Sequence, residues 1–240
     1  MDEKLKQVLH KVELLCDQNP EFAKALAKYL GVVEIQHTSS DTTAFIQLQR
    51  KNMRQRGRLF YQDISNATLR NQLVNDYAMM LWYKCINDIP HMFAHILFQM
   101  ENMLNAFILG HGDAAYDAVM MNPDDYVYLY KTSQKEFSSV AKEYFFDTKG
   151  NRKSVKDIGV WAKYTYWYVS TQQVPKFQSL THRLVSDVIN VRNYSEHRNS
   201  QNDMPEWMKR QISYWSTNIE SKFSYIDMLL TAILQSITNK

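Results

Sequence analysis

The chain has 240 residues, 45% of them hydrophobic and 22% charged, enough to bury a large core without disulfide or metal staples. Its 6 Gly and 5 Pro are too few for a sandwich or barrel of many short strands, so an all-α helical bundle is predicted. A formal net charge of +3 is too mild to mark a nucleic-acid binder by itself, and Cys16 and Cys85 lack the spacing of a disulfide framework or zinc site.

In chain order, Leu5, Val8, Val12 and Leu15 recur at helical spacing before the turn signal DQNPEF, and a second helix is predicted over about 21–30. No uninterrupted apolar segment marks a targeting or membrane-spanning sequence, which predicts a cytoplasmic protein. After the polar stretch VVEIQHTSSD, Asp41 or a neighbouring Ser can cap a third helix. It carries RKNMRQRGR, five basic residues and no acid, with Arg50, Arg54 and Arg58 on one face provided that Gly57 does not end the helix. That face is either a solvated surface or a track for phosphates. Residues 1–62 read as a helical N-terminal section of unassigned role, and 63–240 as the main helical domain.

Helical spacing resumes from Asn66 to about Ile86, and Pro90 marks a break. Over 91–109, Phe93, Ile96, Leu97, Met100, Leu104, Phe107 and Ile108 form an inward face that also holds Glu101. Burying this carboxylate would require a cationic or hydrogen-bonding partner; otherwise it reaches out to water. Residues 110–153 read as an insertion with little regular structure, in which YVYLY suits a short strand and DTKGNRK a turn or hairpin tip. Ser154 and Asp157 form an S-x-x-D capping pattern before GVWAKYTYWYVS. The aromatic residues of that helix suit core packing, with base stacking as the alternative.

A helix beginning near Pro175 packs inward through Phe177, Leu180, Leu184, Val188 and Val191, then presents RNYSEH, residues 192–197. After SQNDMPE, a long C-terminal helix is predicted from Ile212, Trp215, Ile219, Phe223, Ile226, Leu230, Ile233 and Ile237. Arg192 and His197 lie about 140° apart on a continuous helix. To act together they need the helix to end between them, as Asn193 and Ser195 favour, or two chains to bring two copies to one place. The residue types suit phosphate chemistry: His can accept the proton of an RNA 2′-hydroxyl while Arg stabilises the charge that builds on phosphorus, and no metal or other cofactor is needed.

The R-N-x-x-x-H pattern of Arg192, Asn193 and His197, at the end of an inward-facing helix and before a long amphipathic one, resembles the HEPN superfamily of helical nucleotide-binding domains. The resemblance spans about residues 66–240, and ENMLN, with Glu101 and Asn105, looks like the acidic helix that supports the motif. It implies a metal-independent endoribonuclease acting as a homodimer on RNA, with Arg192, Asn193 and His197 catalytic and Glu101 and Asn105 supporting; outside the resemblance, the basic run Arg50, Arg54 and Arg58, with Arg198, is the candidate RNA-binding set. The family also contains antitoxin-partnered or activator-dependent members and non-catalytic interaction modules, so those roles stay open.

Overall fold

The computed structural model describes residues 40–132, 135–171, 180–197 and 204–238. The helices predicted over 5–15 and 21–30, the start near Pro175, and Arg198 lie outside them. The described chain is an all-α helical bundle with one small two-stranded hairpin. Its helices are α1 (Ser40–Phe60), α2 (Ala67–Cys85), α3 (Ile89–His111), α4 (Asp113–Met121), α5 (Ala141–Phe145), α6 (Val160–Ser170), α7 (Leu180–His197) and α8 (Glu206–Thr238). No described helix is long and apolar enough to cross a membrane.

Helix α1 runs through Gly57 to Phe60 because the glycine lets it approach α2 closely. A Cβ at this position would stand 3.0 Å from the Val74 carbonyl oxygen. Met53 and Tyr61 sit in the same core as the later helices, so residues 40–61 pack as part of the bundle. Asn66 caps α2 by accepting from the Leu69 N–H at 3.0 Å, and Asp88 caps α3 through the His91 N–H. Pro90 stands in the first turn of α3, where a missing N–H costs nothing.

Helix α3 is the central element, packed by α2, α6, α7 and α8. Its buried residues include Phe93, Ile96, Leu97, Met100, Leu104, Phe107 and Ile108, the whole face read from periodicity. The fully buried Gln99 accepts from the Tyr61 hydroxyl at 2.8 Å and donates to the His95 carbonyl at 2.7 Å.

The 110–153 segment is more regular than its sequence indicates. It forms α4, a 3-10 turn at Pro123–Tyr126, an antiparallel hairpin of β1 (Val127–Thr132) and β2 (Lys135–Val140), and α5. Pairing runs from Val127 opposite Val140 to Thr132 opposite Lys135. Long-range contacts fix this short-element region: the Tyr116 hydroxyl donates to the Lys153 carbonyl at 2.7 Å, and Tyr126 stacks on Tyr166. DTKGNRK is a tight turn in which Asp147 accepts from the N–H groups of Lys149 and Asn151, with Gly150 at φ 82°.

Ser154 begins a 3-10 turn at Val155–Asp157 without a side-chain cap bond, and α6 starts later, after Gly159. The S-x-x-D pattern therefore does not cap the aromatic helix. Tyr164, Tyr166, Trp167 and Tyr168 are buried, and Trp167 Nε1 donates to Ser236 Oγ at 2.9 Å. These rings are core, not a stacking platform.

Candidate functional site

Leu184, Val185, Val188, Ile189 and Val191 bury the body of α7, and Arg192 emerges where this apolar face meets α3. The half-buried Arg192 guanidinium lies 6.0 Å from the centre of the Phe98 ring on α3, while its Nη1 donates to Asn193 Oδ1 at 3.2 Å. The structure thus brings Arg192 and Asn193 together.

It does not end the helix between Arg192 and His197. Helix α7 continues through His197, contrary to the expectation that Asn193 and Ser195 stop it. The physical reason at Asn193 is that its side-chain oxygen is engaged by Arg192 rather than competing for backbone N–H groups. On this continuous helix the two positions are about 140° apart around the axis and about 7.5 Å apart along it. The two positions therefore do not share a face of α7.

Glu101 stands on α3 three residues beyond Phe98. Its side chain is 37% exposed, and its Oε1 accepts from Lys163 Nζ at 3.0 Å. Lys163, from α6, has a fully buried side chain. The cationic partner of this part-exposed carboxylate is Lys163, whose ammonium is the buried member of the pair. The lone lysine in WAKYTYWYV was the available signal, but its partner lies 62 residues away in sequence. One turn further along α3, Asn105 has a buried Oδ1 without a hydrogen-bond partner among the described residues.

A second feature beside Phe98 escaped the sequence reading. The His95 ring meets Phe98 edge-on at 5.6 Å, stacks on Tyr83 at 5.5 Å, and places Nδ1 3.0 Å from Asp76 Oδ1 on α2. Because an ionised carboxylate only accepts, Nδ1 is the donor in this contact. Arg192 and the Asp76–His95 pair thus both approach the Phe98 ring. The pairing of α2 with α3 that creates this arrangement leaves no local sequence pattern.

Arg50, Arg54 and Arg58 are exposed on α1. The Arg50 guanidinium covers Trp82 at 5.1 Å. They form a basic face separate from the Arg192–Phe98 contact.

No known protein family matches the chain, and no curated protein or solved structure is similar to it.

Proposed function

We propose that the protein is a metal-independent endoribonuclease of HEPN type, cytoplasmic and homodimeric, that cleaves single-stranded RNA through the 2′-hydroxyl. The observation that carries this reading is the placement of Arg192. It is held between Phe98 and Asn193 at the α3–α7 seam, on a helix that continues to His197. In this mechanism His197 of one protomer takes the 2′-hydroxyl proton, and the 2′-oxygen attacks phosphorus. Arg192 of the other protomer stabilises the charge on the phosphoryl oxygens. The P–O5′ bond breaks, the leaving oxygen takes a proton from water, and a 2′,3′-cyclic phosphate and a 5′-hydroxyl result. Arg50, Arg54, Arg58 and Arg198 supply phosphate contacts, and Glu101 and Asn105 support α3 behind the motif. An antitoxin or activator protein would act on this dimer.

The continuous helix also favours a second reading, a non-catalytic RNA-binding or interaction module, because positions 192 and 197 lie about 140° apart around one helix. One experiment separates the two. Arg192→Ala and His197→Ala are each expected to lower cleavage of single-stranded RNA in EDTA by about 10²-fold or more. Mixing the two inactive variants under subunit exchange should restore about a quarter of wild-type activity, since half of the dimers are mixed and each holds one intact site of two. Equal trace cleavage by wild type and both variants would favour the non-catalytic module. Active wild type without restoration on mixing would place the site within one chain, where His95→Gln becomes the informative variant.

A further inference from the structure

On the side of α7 opposite Arg192, a second charged group has no part in the proposed reaction. Arg183 lies nine residues before Arg192, about 180° away around a continuous helix, and meets α8 rather than α3. Its guanidinium stands 4.2 Å from the centre of the Tyr214 ring. Lys222 Nζ lies 2.7 Å from the same ring centre and 5.3 Å from that of Trp215. Beside them opens a concavity of about 220 Å³ lined by Arg183, Tyr214, Trp215, Ser221, Lys222 and Tyr225.

Among the described residues, the charges here do not balance. The neighbouring carboxylate is Asp187, buried, with Oδ2 3.8 Å from Arg183 Nε. Its oxygens already accept from Gln211 Nε2 and Trp215 Nε1, each at 2.7 Å. Two cations among the described residues therefore share one carboxylate whose oxygens are occupied by neutral donors, and Lys222 Nζ also donates to the Tyr214 carbonyl oxygen at 3.1 Å. Burial holds the Lys222 ammonium below its usual pKa, and the nearby Arg183 charge acts in the same direction. A bound anion would relieve both effects. The concavity is smaller than the roughly 300–1,000 Å³ typical of drug-sized ligands, so it suits a small group. A guanidinium fork beside an ammonium matches the oxygens of a phosphate.

We propose that this concavity is a phosphate-binding site in which Arg183 and Lys222 hold the oxygens of one phosphate group and Asp187 orients Arg183. The phosphate can belong to a free monoester or to a nucleic-acid backbone diester, which present the same oxygens in different charge states. The site stands independently of the ribonuclease reading.

A phosphorus NMR titration of the full chain tests it, with inorganic phosphate and dimethyl phosphate as probes at constant ionic strength set by sodium chloride. Wild type is expected to bind at least one probe with a Kd of about 1 mM or tighter. Preference for inorganic phosphate identifies a monoester ligand, and preference for dimethyl phosphate a backbone. Arg183→Gln is expected to weaken binding at least tenfold, the effect of losing one charge-assisted hydrogen bond. The Arg183 side chain is 52% exposed, so the fold should tolerate this change. Lys222→Gln should weaken binding similarly. Absence of binding by both probes, or wild-type affinity in both the Arg183→Gln and Lys222→Gln variants, overturns the proposal.

Discussion

Removing Glu101 should cost more stability than removing Lys163, although the two form one ion pair. Lys163 Nζ is fully buried and lies 3.0 Å from Glu101 Oε1, whereas the Glu101 side chain is 37% exposed. Glu101→Ala leaves an ammonium in the interior without this carboxylate; Lys163→Met leaves a carboxylate that water reaches and puts an apolar chain among the aromatic residues of α6. Breaking a buried pair from one side costs roughly 3–5 kcal/mol, and the exposure of Glu101 screens part of that. Glu101→Ala is therefore expected to cost about 2 kcal/mol, or about 4–8 °C in Tm for a chain of this size. Lys163→Met should lie within about 1 kcal/mol of wild type, because replacing the buried charge by a packed apolar chain is often neutral. Urea unfolding of both single variants and the double variant gives the coupling directly. If Lys163→Met proves the more damaging, Lys163 contributes mainly through packing or another contact, and the assignment of its charge to Glu101 fails.

Two further predictions concern the helix contacts that frame the site. Gly57→Ala should destabilise by about 1 kcal/mol, despite the roughly 1 kcal/mol that alanine normally gains in a helix. The new methyl meets the Val74 backbone, which cannot move aside as a side chain would; a gain in urea midpoint would show that α1 and α2 can separate at little cost. Asp187 has its pKa raised, chiefly by burial, against the opposing effects of the Trp215 hydrogen bond, Arg183 and Lys222. A carboxyl whose folded pKa exceeds its unfolded value stabilises the fold most when protonated. The stability of wild type relative to Asp187→Asn should therefore fall as pH rises from the ordinary Asp value of 3.8 through the raised folded value. Chemical denaturation across this window checks it, and a relative stability that rises with pH would mean that the two cations outweigh burial.

Much of the bundle is legible because its long helices bury one regular face. Trp215, Ile219, Phe223, Ile226, Leu230 and Ile233 of α8 are all buried at the spacing their sequence shows. The 110–153 region is not legible in the same way. Its elements span only a few residues each and are fixed by distant partners, such as Tyr116 with Lys153 and Tyr126 with Tyr166. The candidate site divides along the same line. Arg192, Asn193 and Glu101 could be singled out from spacing, but Lys163, His95 and Asp76 gain their meaning from contacts between α2, α3 and α6. Asn193 shows why a local rule failed: its preference for leaving a helix depends on a free side-chain oxygen, and Arg192 engages that oxygen.

The course of α7 constrains any chemistry that uses both ends of RNYSEH. Positions 183 and 187 face α8, and Arg192 faces α3. Position 197, fourteen residues beyond 183, returns to within about 40° of the direction of position 183. Positions 192 and 197 of one chain thus lie on different sides of α7, about 7.5 Å apart along it. A two-fold axis perpendicular to α7, level with the midpoint of 192–197 and on the side of positions 193 and 196, removes the conflict, because it runs a second α7 antiparallel to the first. Arg192 of each protomer then lies opposite position 197 of the other, and one isologous contact forms two equivalent sites together. In this arrangement the continuity of α7 favours assembly: a helix that ended at Asn193 would lose the straight segment along which the two copies align. Dimerisation and cleavage should then fail together when Glu196, whose position lies within about 30° of the direction midway between 192 and 197, is replaced by a bulky residue such as Trp, while a site confined to one chain would lose neither.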